Sequence, residues 1–504
     1  MSWSPTLITA LESSQFSWAY ILRVVSVNNV PGNTYTASSL PGIGDPIIGR
    51  SVRINGATLK PGAWTTTLGS FTVELVGDLG LFRKNVTRGT FVALSIGRPE
   101  WKASDYEVIA TGQVQQLSGK TPTVATLTCR DLLSALRCRP TGSAGQLTLG
   151  YRTNNTQTLL THDYAIGDSS LQCTTTTGFD VGSAGTACLI TPVSGDSPFI
   201  LTYTGLADPN LTGVSATAIH GTTEVGAAAP SLIQPVIYAT GHPLTLFRRF
   251  LLSVAGADTH GYDNLPQGDG LSLPYEFVDH QDTDNHYLLS EPSMSFEVVS
   301  TSPIDDPVSW MQGWMSAGGF FMTMRQGRIT GRSAQVSTTS TFRDAAEITD
   351  DDIESGGITW EAWDSDTPSE AVQVTITSNS GDTSSASVED PATLPAFYRQ
   401  DYDVTDLLFT DEGTGRDSII ARVYEAHQRI PERYAISCVG LRLAVLAPGD
   451  FVRITTRQAQ GALTSTAGGL DRTRGIVIQV AADFGRGRVA LVVLVYPTSG
   501  DVLP

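Results

Sequence analysis

The chain is patterned in short stretches of alternating apolar and polar residues broken by glycine and proline. Along Phe71-Thr-Val-Glu-Leu75 and Val124-Ala-Thr-Leu-Thr-Cys129 every second position is apolar, the period of a strand with one buried face. Trp18–Val27, closed by Val30-Pro31-Gly32, and the stretches Phe91–Ile96 and Tyr106–Val114 add further strands. Only Arg130–Leu136 reads as a short helix in this part. Strand after strand with glycine turns predicts a small barrel or sandwich over residues 1–147.

Residues 148–236 change character, being rich in Thr, Gly, Ala and Ser and nearly free of arginine. Short strands at Leu171–Thr174, Ala187–Ile190 and Phe199–Tyr203 predict a small inserted β module. The clearest helices lie in 237–332. Leu244, Phe247, Leu251 and Val254 share one face of a helix from His242 to Val254. Asp306-Pro307 is a cap followed by a good first residue, and the helix it starts should end at Gly318-Gly319. Phe320–Met324, a turn at Arg325-Gln-Gly327, and Arg328–Thr330 then predict a hairpin.

Residues 333–504 return to β. The strands are Ala371–Ile376, Tyr434–Leu446, Phe451–Thr455, Gly475–Ala481 and Val489–Val495, with one helix at Ser418–Ile430 stopped by Pro431. The predicted class is mainly β (α+β): two tube-like barrels, a helical middle part and a small inserted β module.

Composition narrows the function. Charged residues are only 16% of the chain, and Asp plus Glu at 50 against Lys plus Arg at 32 gives a net charge of −18. A sequence-independent nucleic-acid binder needs a basic face, so this balance speaks against one. The five cysteines, Cys129, Cys138, Cys173, Cys188 and Cys438, form no CxxC and are expected as reduced buried thiols; Cys173 and Cys188 could also face each other. The opening MSWSPTLITALESSQF has no basic or apolar region of a signal peptide, and the run Ala490–Tyr496 is too short to span a bilayer. Asn85, Asn154 and Asn210 match the glycosylation pattern and are expected to be bare.

Nucleophile elbows, P-loops, HExxH and CxxC pairs are absent from the sequence. Gly413-Thr-Gly415 before a helix is half a phosphate loop at best and reads as a helix start. The most ligand-rich run holds Asp279, His280, Asp282, Asp284 and His286, which could hold a divalent metal but lacks the glycine and distal glutamate of an EF-hand; a solvated loop is the expected reading. Asp344, Glu347, Asp350, Asp351, Asp352 and Glu354 could supply paired carboxylates, although their like charges point to a solvated loop or strand edge. Trp310, Trp314, Phe320 and Phe321 could stack on a sugar, but their spacing makes them core. No catalytic, cofactor-binding or metal-binding residue is assigned, and no cofactor is expected.

Several segments resemble the tail-tip or baseplate hub proteins of tailed bacteriophages. Trp314-Met-Ser-Ala-Gly-Gly-Phe-Phe321 followed by Arg325-Gln-Gly-Arg-Ile329 looks like that family's helix and hairpin between barrels. Leu446-Ala-Pro-Gly-Asp-Phe-Val-Arg-Ile454, Arg474-Gly-Ile-Val-Ile478 and Gly485–Val495 look like its C-terminal barrel. Gly178-Phe179, Thr202-Tyr-Thr-Gly205 and Leu211-Thr-Gly-Val214 resemble a small β module common in phage tail proteins, and Thr9-Ala-Leu with Phe91-Val-Ala-Leu is similar to the N-terminal barrel. The resemblance is firmest over about 305–335 and 434–496.

It implies a non-enzymatic virion protein at the tail tip, assembled in the host cytoplasm. A homotrimer would present six barrels to a sixfold tail tube while keeping threefold symmetry. Implied partners are distal tail or tail tube proteins, the tape measure protein, a tail fibre or spike, and genomic DNA passing through the channel without specific binding. The acidic balance would keep that DNA from sticking to the channel wall. Two alternatives stay open: a glycan- or receptor-binding tail component acting through the inserted module, and a cell-wall or polysaccharide hydrolase acting through the 344–354 carboxylates.

Overall fold

The computed structural model describes residues 3–13, 17–25, 33–60, 64–121, 123–136, 157–177, 179, 186–215, 225–252, 271, 273–290, 295–300, 304, 306–334, 344–361, 371–378, 383–389, 408–409, 431–459 and 469–495. The chain is mainly β. The described helices are short: α1 (Pro5–Glu12), α2 (Gly80–Asn85), α3 (Leu132–Leu136), α4 (Pro243–Leu251), α5 (His280–Leu289) and α6 (Pro307–Ala317).

The first strands form one antiparallel run, in the order Thr36–Ser38, Ala19–Val24, Phe91–Gly97, Glu107–Thr121, Val124–Asp131, Ser70–Val76 and Ile48–Lys60. Period-two patterning decides which face is inside. Phe71, Val73 and Leu75 are buried while Thr72 and Glu74 are not fully so. Phe91–Gly97, apolar nearly throughout, is buried at every position because it lies between two cores: Val92, Leu94 and Ile96 face the sheet's own core, and Phe91 faces the helical part. Ala37 bridges to Asp45, just ahead of the strand Ile48–Lys60, so the sheet curls back toward its far edge.

The last strands curl in the same way. Ala346–Thr349 runs parallel to Phe451–Thr456, followed by antiparallel Leu470–Asp483, Arg488–Val495, Glu432–Val439 and Ile353–Glu361. The first and last members are consecutive in the chain. Their turn is closed by the Asp352 N–H donating to the Thr349 carbonyl at 3.0 Å, and the Asp352 carbonyl accepts from Val439 N–H at 2.8 Å.

The two curled sheets share an edge. Ile48–Lys60, at 13 residues, is long enough to pair with Ser70–Val76 on one side and with Leu470–Asp483 on the other. Arg53 faces Asp483, Ile54 faces Ala482 and Asn55 faces Ala481, giving one 14-stranded sheet from both ends of the chain. Gly56 sits at this seam, where a Cβ would lie 2.5 Å from the Val480 carbonyl oxygen. The cores merge as well: Leu7 and Leu11 of α1 belong to the same apolar cluster as Leu443, Leu446 and Val477.

The middle is tied in by one strand. The first half of Leu232–Gly241, Leu232 to Val236, pairs with Thr186–Thr191; its second half, Ile237 to Gly241, pairs with Phe296–Ser300. The border expected at 236/237 falls within this strand, at the point where its partner changes. The helices form for the reasons the sequence contains. His242 Nδ1 accepts from Leu244 N–H at 3.2 Å ahead of α4, which buries Leu244, Phe247 and Leu251. Asp306 caps α6 by accepting from Ser309 N–H at 2.9 Å, and Gly318 ends it. The hairpin Phe320–Arg325 with Arg328–Ser333 is present.

The stretch expected as a solvated loop is instead the helix α5. Asp279 caps it, accepting from Asp282 N–H at 3.2 Å. It has no apolar stripe, and its inward face is built from polar residues that meet charged partners. The helix expected at Ser418–Ile430, Gly413-Thr-Gly415, Cys138, Asn154 and Val254 lie outside the described residues. Cys129, Cys173, Cys188 and Cys438 are buried thiols not joined in disulfides. Burial pushes the Cys173 thiol up to about 11 and the Cys438 thiol up to about 12.

Candidate functional site

The ligand-rich run lies on α5 and is taken up by arginines. Arg332 Nε donates to Asp282 Oδ2 at 2.7 Å and its Nη2 to Asp282 Oδ1 at 3.1 Å, a parallel fork. Thr330 donates its hydroxyl to the same carboxylate at 2.7 Å. Arg325 approaches Asp282 at 3.2 Å and Asp279 at 3.4 Å, and Arg248 pairs with Asp284. The other end of Arg332 donates to the Pro448 carbonyl at 2.8 Å and to Asp450 at 2.9 Å. One fully buried guanidinium thus joins α5, its own hairpin and a turn of the C-terminal sheet.

The electrostatics follow from this geometry. Burial by itself would raise the Asp282 carboxyl, but Arg332 and Arg325 outweigh it and hold the group well below the usual carboxylate range. Burial would lower Arg332, yet Asp282 and Asp450 keep it charged and push it up. His286 is lowered to about 3, first by burial and further by Arg332 and Arg325 against the pull of Asp282. His280, stacked on Tyr275 at 3.7 Å, is lowered to about 4 by burial. Among the described residues no three His, Cys, Asp or Glu side chains converge as metal ligands.

The acidic cluster at 344–354 is divided among separate partners. Asp344 sits between Arg453 and Arg474, the latter at 2.7 Å. Asp350 accepts from the Thr456 hydroxyl and from Arg457 N–H at 3.2 Å. Asp352 accepts from Arg442 Nη2 at 2.7 Å and from Thr349 N–H at 2.9 Å. Glu354 meets Arg488 at 2.9 Å. A general acid for glycoside cleavage needs a raised carboxyl. Asp350 is shifted the other way, by its Thr456 hydrogen bond above all. The four aromatics are packing residues: Trp314, Phe320 and Phe321 are buried, and Trp310 meets Phe250 edge-on at 5.0 Å.

The remaining polar residues cross the joints between elements. Trp3 N–H donates to Gln326 Oε1 at 2.8 Å, and its indole N–H donates to the Val108 carbonyl at 2.8 Å. Ser4 caps α1 and also donates to Glu107. The start of the chain, the tip of the hairpin and the N-terminal sheet therefore meet at one point, beside a cavity of about 70 Å3 lined by Trp3, Phe71, Gln326, Pro448 and Val480. Across the shared edge, Arg53 pairs with Asp483 at 2.8 Å. The charged side chains named here mostly lock one element to another.

Arg332 was invisible in the sequence because its position in the hairpin alternation resembles any other strand arginine. The signal available was a set of three arginines, Arg325, Arg328 and Arg332, in one hairpin, with a run of aspartates elsewhere in the chain.

No protein-family model matches the sequence, and no curated protein matches it. Solved structures are similar at low identity. A tail protein from Neisseria meningitidis MC58 aligns with a TM-score of 0.41 and 11% identity, over 97% of this chain and 100% of its own. The 43 kDa tail protein of prophage MuSo2 from Shewanella oneidensis aligns with a TM-score of 0.38 and 10% identity, over 96% of this chain and 100% of its own. The prophage tail protein gp18 from Listeria monocytogenes aligns with a TM-score of 0.39 and 8% identity, over 94% of both chains.

Proposed function

We propose that this chain is a structural phage tail protein, the hub of a tail tip or baseplate, working as a homotrimeric ring. The observation that carries the reading is the shared edge between Ile48–Lys60 and Leu470–Asp483. It sets two curled sheets side by side as one continuous unit, so each subunit offers a ring two similar surfaces. Three copies would offer six, which suits a sixfold tube above and a threefold tip below. The described residues of the segments 305–335 and 434–496 that resemble hub proteins include the separate hairpin Phe320–Ser333 and strands of the C-terminal half of this unit.

The side-chain chemistry supports the same role. Asp282, Asp344 and Asp352 hold strands, helices and turns together through arginines, as a load-carrying part requires. In this reading the net charge of −18 keeps genomic DNA from adhering as it passes. The partners are distal tail or tube proteins, the tape measure protein and a fibre or spike, and assembly takes place in the host cytoplasm. Residues 1–147 and 333–504 serve as the two hub domains, 148–236 as an inserted module and 237–332 as the connector.

Immunogold electron microscopy of virions with antibody to the purified chain tests this. Label confined to the distal end of the tail, beneath the tube, is the expected result. Label along fibres would favour receptor binding, and absence of virion label would remove the tail assignment.

A further inference from the structure

A groove crosses the shared edge on the side of the sheet away from the core. Arg53, Asp483, Arg488 and Val439 stand opposite one another in one cross-strand row, and Asn55, Ala481, Ala490 and Ser437 form another row on the same side. None of these side chains is buried. The row between them, Ile54, Ala482, Val489 and Cys438, points the other way and packs in the large apolar core. The groove has a volume of about 190 Å3 and is lined by Arg53, Asn55, Ser437, Asp483, Arg488 and Ala490. Its alanine, serine and asparagine side chains are short, so another backbone can lie close to the sheet.

The charges here are unequally presented. Asp483 is met by Arg53 at 2.8 Å and by Arg486 at 3.8 Å, and Glu354 by Arg488 at 2.9 Å. The Asp483 and Glu354 side chains are 19% and 25% exposed, whereas those of Arg53, Arg486 and Arg488 are 47%, 68% and 59% exposed. A partner therefore meets three arginines before it meets two acids. An arginine has five N–H donors, more than the two that one carboxylate takes in a fork, so each has donors for a second acid. Three features favour a protein carboxylate over nucleic acid. The groove is too small for a duplex, and no aromatic side chain lines it for a base to stack on. The net charge of −18 repels a long polyanion, while a short segment responds mainly to the charges within about 10 Å. An extended segment also turns alternate side chains to one face, which would set its acids along the arginine row. We propose that this groove docks an extended segment of a partner protein that carries aspartate or glutamate at alternate positions. The inference stands on the groove alone and holds with or without the ring.

The test uses the full chain and labelled probes in fluorescence anisotropy: an Asp-Ser repeat peptide, its Lys-Ser counterpart, and a DNA duplex. The expected result is binding of the Asp-Ser peptide alone. Arg486→Gln with Arg488→Gln should weaken it about tenfold. Ala490→Gln, which fills the groove and changes no charge, should weaken it about tenfold as well. These sites are exposed, so the circular dichroism should not change. Glu354→Gln, which releases Arg488 from its own acid, should tighten binding about threefold, a direction that loss of structure does not produce. Arg83→Gln with Lys84→Gln, an equal loss of charge at exposed sites on α2, should leave the affinity as it is. No binding of the Asp-Ser peptide, binding of the Lys-Ser peptide, or equal affinity in all variants would overturn the proposal. Binding of the duplex would overturn it as well, by making nucleic acid the occupant.

Discussion

Arg332 grips Asp282 with two parallel hydrogen bonds, at 2.7 and 3.1 Å, and with the same side chain reaches Asp450 in the turn ahead of Phe451–Thr456. A buried ion pair of this kind contributes little against a well-packed apolar pair, but breaking it strands a charge in the interior. Arg332→Met or Asp282→Asn alone should therefore cost about 3–5 kcal/mol in urea unfolding. The double variant Arg332→Met with Asp282→Leu should cost clearly less than the sum of the single changes. Additive losses would mean that the two residues do not act as a pair.

Acid should loosen the same region. His280 and His286 are lowered to about 4 and about 3, so the folded protein keeps both neutral where an unfolded chain, at the ordinary value of about 6.5, takes up protons. The unfolded state binds more protons in that window, and stability must fall as pH drops from about 6.5 toward 4. The expected slope is of order 1–2 kcal/mol per pH unit. His280→Gln with His286→Gln should flatten it in a series of unfolding curves from pH 8 to 4. An unchanged slope would place the acid sensitivity elsewhere.

These two residues also show where sequence reading succeeds and where it stops. Period-two alternation in Phe71–Leu75 and the caps at His242 and Asp306 are local properties, and the strands and helices they imply are present. The helix α5 has neither an apolar stripe nor a charge pattern of its own. Its polar inward face makes sense only once Arg332 and Arg325 are brought to it from the hairpin. The shared edge is hidden for a similar reason. The pattern of residues predicts no strand over Ile48–Lys60, because its apolar positions change phase from Val52 and Ile54 to Ala57 and Leu59, and its second pairing partner comes from the far end of the chain.

That shared edge has a sharp requirement at Gly56. A Cβ there would stand 2.5 Å from the Val480 carbonyl oxygen, which is backbone and cannot swing aside. Gly56→Val should force the two sheets apart, with a loss of about 3 kcal/mol or more and a lower urea midpoint. Hydrogen exchange should rise along Leu470–Asp483 as well as along Ile48–Lys60. Exchange rising in only one of them would mean that the sheets are coupled elsewhere.

The acidic turn separates structural from catalytic roles most directly. Asp352 closes its own turn through Thr349 N–H and holds Arg442, while Asp351 beside it is exposed. Losing charged hydrogen bonds of this sort costs about 1–2 kcal/mol, whereas an exposed substitution stays within about 0.5 kcal/mol. Asp352→Ala should thus lower stability measurably and Asp351→Ala should not. If the cluster instead ran a hydrolysis, both the wild type and its loss on mutation would register in a zymogram on purified cell wall. The expected zymogram is blank for the wild type and for the combined variant Asp350→Ala, Asp351→Ala, Asp352→Ala. A clearing zone that the combined variant abolishes while remaining folded would make these carboxylates catalytic and displace the structural account of the turn.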